Sequence, residues 1–149
     1  MKHTMQDLPH YPVVLQEDKQ DGGYIATFRG VYGVAQGDTV EETLANAREV
    51  LDTVFAAAIQ DGEVLPTPAA AKREEYSVAP EAVTYVKYLL WLTMKAEGVT
   101  KAELARRMGI PPASAQRLFD VNHKSQFAQL EAAAQALGKQ VTVGLRDAA

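Results

Sequence analysis

The chain contains no cysteine. That absence excludes disulfides, thiolate-bound zinc and thiol nucleophiles, and with them the disulfide-stapled scaffolds of small secreted proteins. Long apolar runs are missing as well. A membrane-spanning helix needs about 18–20 consecutive apolar residues, and the most apolar stretch, Tyr88 to Met94, falls well short of that. Met1 to His10 lacks the basic-then-apolar order of a secretory signal. The expectation is a cytoplasmic protein with no membrane association. Histidine is scarce too: His3, His10 and His123 stand alone, without the HxxxH or HExxH spacing that sets two imidazoles on one helix face. Neither a Gly-x-Ser-x-Gly elbow nor a phosphate-binding Gly-Lys-Ser/Thr loop occurs. No metal and no cofactor are expected.

What is present is an ordinary globular composition, 149 residues at 47 % hydrophobic and 23 % charged, with its charge unevenly spread. The formal net charge is −4, yet residues 1–71 hold four basic against eleven acidic side chains, a net of −7, while residues 72–149 hold eleven against eight, a net of +3. An acidic face attracts basic partners and repels nucleic acid. The change of sign coincides with Val64 to Ala71 (VLPTPAAA), where Pro66 and Pro68 forbid a continuous helix and imply a linker. Two domains are predicted, 1–71 and 72–149.

In the first, Tyr11 to Gln16 is apolar and β-branched, a strand. A polar stretch ending in Asp21-Gly22-Gly23 signals a turn. Tyr24, Ala26 and Phe28 then alternate with Ile25, Thr27 and Arg29, the second strand of a hairpin. Gly30 to Gly37 holds a bend and a short third strand. A helix starts at Asp38 or Thr39, where Thr39 and Glu42 have capping-box spacing; Val40, Leu44, Ala47, Leu51, Val54, Phe55 and Ala58 recur at helical period until Asp61-Gly62. After the linker, Glu74 to Val78 reads as a strand. Pro80 opens a long helix, Glu81 to Lys95, whose apolar residues exceed one core-facing stripe. That surplus can pack between the halves or between subunits. The alternation of Val141, Val143 and Leu145 predicts a terminal strand over Gln140 to Leu145, able to pair across a two-fold axis.

Thr100 to Asp120 reads TKAELARRMGIPPASAQRLFD. Thr100 caps a helix, Lys101 to Met108, with Leu104, Ala105 and Met108 inward. Gly109 supplies a turn, Ile110 plugs the core, and Pro112 suits the first turn of the next helix, where its missing N–H costs nothing. Ala115 and Leu118 face back, leaving Ala113, Ser114, Gln116 and Arg117 outward. Phe127, Leu130, Ala134 and Leu137 mark one more amphipathic helix, with Ser125 as its cap. The Ala105–Gly109 spacing, the apolar residue after Gly109 and the inward pair at 115 and 118 resemble a helix-turn-helix of the lambda-repressor/Cro type. In that family the second helix enters the major groove. The resemblance makes Ser114, Gln116 and Arg117 candidate base readers, since Gln pairs with adenine and Arg with guanine edges. It makes Lys101, Arg106, Asn122, His123 and Lys124 candidate phosphate contacts, and it implies a homodimer or a dimer of dimers. The alternative is a helical hairpin that packs and binds nothing.

The first half carries a second resemblance. Tyr11-Pro12-Val13-Val14, Gly23-Tyr24-Ile25-Ala26-Thr27-Phe28, Gly33, Gly37-Asp38-Thr39, Glu41-Glu42 and Asn46-Ala47, in that order, followed by the linker and the helix-turn-helix tail, resemble the HicB antitoxin family from about Tyr11 to Leu145. The family often has Pro after the strand-two Phe and a small residue or Cys after the following Gly; Arg29 and Val34 stand at those positions. The resemblance implies an α+β N-terminal domain, a small antiparallel sheet with one long helix in a partial ribonuclease-H-like fold without its active site. An α-helical helix-turn-helix C-terminal domain with a terminal strand follows. It further implies an antitoxin that binds and masks a small basic RNA-cleaving toxin of the HicA type and represses its own operon at operator DNA. Asp18, Asp21, Glu41 and Glu42 are the acidic candidates for the toxin surface, with Tyr24 as an aromatic anchor; the competing reading makes them turn, cap and solvated-face residues.

A ribonuclease-H-like fold also raises nuclease chemistry, which requires carboxylates converging on paired metal ions. Asp18 and Asp21 lie in a polar turn, and Glu41 and Glu42 at a helix start favoured by the helix dipole. No catalytic residue is therefore expected. The remaining alternative is a transcriptional regulator that senses a small ligand through its first half and has no toxin partner.

Overall fold

The computed structural model describes residues 7–148, so His3 lies outside them. Its elements are β1 (Tyr11–Glu17), β2 (Tyr24–Phe28), β3 (Val34–Gly37), α1 (Val40–Asp61), β4 (Tyr76–Val78), α2 (Ala82–Glu97), α3 (Lys101–Met108), α4 (Pro112–Arg117) and α5 (Phe127–Ala136). The class is α+β, with an antiparallel four-stranded sheet ordered β3-β2-β1-β4.

Strand alternation decides which face is dry. The register pairs Val13 with Phe28, and Leu15 with Ala26, which in turn pairs with Ala35. Val13, Ala26, Phe28 and Ala35 are buried. α1 lies across this face, contributing a stripe of Thr43, Ala47, Leu51, Phe55, Ala58 and Ile59 at helical spacing. Its ends are those the sequence specifies. The Thr39 hydroxyl accepts the Glu42 N–H at 3.1 Å, and Gly62, left-handed at φ 73°, returns its N–H to the Ala58 carbonyl. On the opposite sheet face Val14, Thr27 and Val34 form a cross-strand row, and Val14 and Val34 are exposed.

The stretch 64–71 has no regular structure, yet it is pinned. The Tyr11 hydroxyl donates to the Pro66 carbonyl at 2.8 Å, the Leu65 N–H donates to the Tyr88 hydroxyl at 2.8 Å, and Arg29 reaches the Ala70 carbonyl. Beyond it, β4 pairs with β1 (Tyr11 with Val78, Val13 with Tyr76). Arg29 forms a two-pronged ion pair with Glu75 at the start of that strand. Phe55 then meets Tyr11, Tyr85 and Tyr88 edge-on, with centroid separations of 6.2, 6.1 and 4.9 Å. The buried apolar residues form one continuous cluster from Tyr11 and Val13 through Phe55 and Tyr88 to Leu104, Leu118, Leu130 and Leu137.

Three expectations are corrected. Gln140 to Leu145 is not a strand. Side-chain alternation is only half of what a strand needs; a ladder partner is the other half. None lies beside this segment among the described residues, and Val143 and Leu145 are exposed. Ser125 is not the cap of α5: the cap is Gln126, reciprocated by Gln129, while Ser125 is buried and its hydroxyl has no partner among the described residues. Phe127, the first residue of α5, is 44 % exposed and not part of the inward stripe, because the helix begins by turning that position outward.

Candidate functional site

The basic region is built on α3 and α4. Thr100 caps α3 by accepting the Glu103 N–H at 3.1 Å. Gly109, at φ 68°, ends it by donating to the Ala105 and Arg106 carbonyls. The Ile110 N–H returns to Ala105 at 3.0 Å, closing the turn. Pro112 starts α4. Leu104, Ala105, Ala115 and Leu118 are all buried, so the two short helices pack through those positions. Gln116 and Arg117 stand exposed and Ser114 is half-buried.

Around them the other predicted residues sort into two groups. The Lys101 ammonium donates to the Gln116 side chain at 3.3 Å and lies 5.6 Å from the Phe119 ring centre, so 101 and 116 share one patch. Arg117 and the loop residues Asn122, His123 and Lys124 are exposed, and the backbone carbonyls of 117 and 123 converge on one buried ammonium. Arg106 belongs to neither. It is bound by Glu103, which also takes Arg107 at 3.1 Å. Hydrogen bonds from Arg106 and then Arg107 hold the Glu103 carboxyl down at about 2. That carboxylate is ionised at neutral pH and offsets the charge Arg106 would bring to a phosphate. Arg117 and Lys124 form no ion pair among the described residues.

One residue at this site is absent from the sequence-based set. Lys87 of α2 is fully buried, and its ammonium donates to the carbonyls of Arg117, Asp120 and His123 at 3.2, 2.7 and 2.6 Å. Burial lowers its pKa, and the nearby Asp120 charge partly opposes that shift. The signal was in the sequence: from Ala82 to Met94, Lys87 is the single charged side chain, and a lone cation in an apolar helix is either costly or paired.

The acidic candidates gather at one end of the sheet. Asp18 and Asp21 lie in the β1–β2 turn, where the Asp18 carboxylate accepts the Gln20 and Asp21 N–H groups at 3.1 and 3.2 Å. Tyr24, half-buried, opens β2 and pairs with Gly37. Glu41 and Glu42 are exposed in the first turn of α1, just beyond Gly37. The turn touches the helix entry closely: a Cβ on Gly23 would sit 2.3 Å from the Gly37 carbonyl oxygen. Asp18 is thus occupied by its own turn, whereas Asp21, Glu41 and Glu42 face solvent. Among the described residues no group of three or more His, Cys, Asp or Glu side chains is arranged to hold a metal ion, and no helix is long and apolar enough to cross a membrane. Sequence reasoning also passed over the exposed Tyr32 and the Val14–Thr27–Val34 row on the open sheet face.

A family profile described as a HicB-like antitoxin of bacterial toxin–antitoxin systems matches residues 10–89, from the residue before β1 into the middle of α2. Antitoxin HicB of Pseudomonas fluorescens (strain Pf0-1) is 36 % identical over 115 residues, which is 76 % of this chain and 79 % of that protein. Antitoxin HicB of Escherichia coli (strain K12) is 31 % identical over 134 residues, 89 % of this chain and 96 % of that protein. Antitoxin HicB 1 of Photorhabdus laumondii is 33 % identical over 136 residues, 91 % and 86 % of the two chains. With that profile covering more than half of the chain and these relatives matching most of it, the chain belongs to the HicB-like family of bacterial antitoxins.

Proposed function

We propose that this antitoxin works through two surfaces. Its acidic sheet end, with Asp21, Tyr24, Glu41 and Glu42 at the centre and Asp18 shaping the turn, binds and masks a small basic RNA-cleaving toxin of the HicA type. Its α3–α4 unit acts as a helix-turn-helix that binds operator DNA and represses the toxin–antitoxin operon. The sheet with α1 across one face is read as a partial ribonuclease-H-like fold that serves binding, and no catalytic residue is assigned to it. The functional division is 1–71 for toxin and 72–149 for DNA and self-association.

The observation that carries this reading is the exposed Gln116–Arg117 face of α4, set on a helix pair whose buried positions Leu104, Ala105, Ala115 and Leu118 face the other way. Arg117 and Gln116 would read bases, while Lys101, Asn122, His123 and Lys124 would meet phosphate. Self-association supplies the second copy that paired half-sites require. A groove of about 770 Å³ lies between α2 and the C-terminal segment, lined by Val86, Leu89 and Phe127 and by Val141 and Val143 of that segment, and is the surface we assign to self-association. The test uses the full chain and a duplex spanning its own promoter, read by fluorescence anisotropy with and without the co-encoded small basic protein. Preferential binding over a scrambled duplex, together with capture of that protein by the chain, supports both surfaces. Equal affinity for both duplexes removes the repressor role, and failure to capture the small protein removes the masking role.

A further inference from the structure

We infer that Lys87 is a positioning residue for the DNA-reading surface: from inside α2 its ammonium fixes the backbone of segment 117–123, and so sets where Arg117, Asn122, His123 and Lys124 stand. The inference rests on the DNA-binding reading above.

The geometry is specific. After α4 the chain continues in three-residue turns: the Asp120 N–H donates to Arg117 at 3.2 Å and the His123 N–H donates to Asp120 at 3.1 Å. Turns with three residues per revolution stack every third carbonyl on one side. The carbonyls of 117, 120 and 123 therefore form a column, and that column faces Lys87. An ammonium has three N–H donors, and each finds one member of the column. Each of these carbonyls has two lone pairs; at 117 and 120 the turn itself takes one and Lys87 the other.

Burying a cation without a carboxylate partner is expensive, and among the described residues Lys87 has no ion pair. A methionine would fill the same channel more cheaply. What only the ammonium supplies is attachment of a polar loop to a rigid helix. The loop's side chains at 122, 123 and 124 are exposed, and the half-buried Val121 is the apolar contact next to them, so the backbone from 117 to 123 rests on Lys87 for its polar attachment. α4 has only six residues, and the three-residue turns that follow it satisfy its last carbonyls without fixing the column of 117, 120 and 123 to the rest of the fold.

The test keeps the full chain and measures two things, backbone order and DNA discrimination. Lys87→Met should leave the far-UV spectrum and capture of the small basic protein unchanged. It should speed amide exchange at 118–124, and reduce the preference for the promoter duplex over a scrambled one by about tenfold, the usual scale of one lost base contact. Lys87→Gln, with two donors in place of three, should fall between. Because the chain has no cysteine, Lys87→Cys creates a unique thiol. Alkylating it in denaturant with bromoethylamine rebuilds an isosteric ammonium, and after refolding this form should recover both readouts, whereas the same variant with its thiol methylated should not. Met and Gln variants that match the native chain in loop exchange and in duplex preference overturn the inference, as does an aminoethylated form no better than the methylated one. If the native chain itself shows no duplex preference, the DNA reading fails. The exchange rates at 118–124 then still decide whether Lys87 orders the loop.

Discussion

Phe55 is where β1, α1 and α2 meet, and its replacement by alanine tests whether the molecule has one core. The ring is fully buried and touches three tyrosines edge-on, two of them from α2. Removing a buried Phe side chain costs about 3–5 kcal/mol, the upper part applying where rigid neighbours cannot close the cavity. Here Tyr11 and Tyr88 are tied by hydrogen bonds to the 64–71 stretch, so the cavity stays open. A loss of about 4 kcal/mol lowers Tm by about 8–16 °C in a chain of this length, and is a large part of the stability of an ordinary domain, about 5–15 kcal/mol. Phe55→Leu, which keeps most of the volume, should cost less than half as much. Guanidinium unfolding followed by far-UV circular dichroism, Trp91 fluorescence and the amide signals of Val13 and Leu130 reads the result. All four should move together to lower denaturant. Val13 and Leu130 melting at separate midpoints, or a loss below about 1 kcal/mol, would refute the shared core.

Three further outcomes follow from the geometry. Gly22 and Gly23 both have φ 77°, but a Cβ at 22 meets open space while one at 23 strikes the Gly37 carbonyl; Gly23→Ala should therefore lower Tm well beyond Gly22→Ala, and equal losses would show that the close approach is unimportant. Hydrogen bonds from Arg29 hold the Glu75 carboxyl at about 2 against an ordinary 4.5. A depressed carboxylate contributes stability above its unfolded value and loses it as pH falls toward the folded one. Glu75→Gln should thus flatten the fall of Tm between pH 4.5 and 2, and an unchanged acid limb argues that the pair contributes nothing. Arg117→Ala should cost about 1–3 kcal/mol of discrimination at one base position, whereas Lys124→Ala should weaken all duplexes alike and reduce the salt slope by about one. A uniform loss for Arg117→Ala in anisotropy titrations would reassign it to phosphate.

The local elements were largely legible. The Thr39 cap and the left-handed Gly62 bound α1 where the sequence places them, and the same logic fixes α3 between Thr100 and Gly109. Pairing was not legible. β4 is three residues long with Tyr76 exposed, so no periodicity announces that it completes the sheet against β1. Conversely, Val141, Val143 and Leu145 display a strand's alternation with no partner to pair with among the described residues. The DNA-facing candidates rest on the helix-turn-helix resemblance and the acidic ones on the HicB resemblance with the charge count, both of which are read from residue identity. The lone charge of Lys87 in an apolar helix signals a paired cation, but its partners are three carbonyl oxygens, which residue identity does not reveal.

The β1–β4 pairing bears on how the protein can be divided. A cut at Ala71 would separate the charge halves cleanly, yet it would strip the partner from Tyr11, Pro12 and Val13. A fragment ending there presents a bare strand edge, with unpaired backbone groups beside a wet Tyr11 and Val13. Such edges recruit other edges and drive self-aggregation. The Pro/Ala stretch is thus a strap across a closed seam. A chain nicked within it should run as two bands in denaturant and as one particle without it.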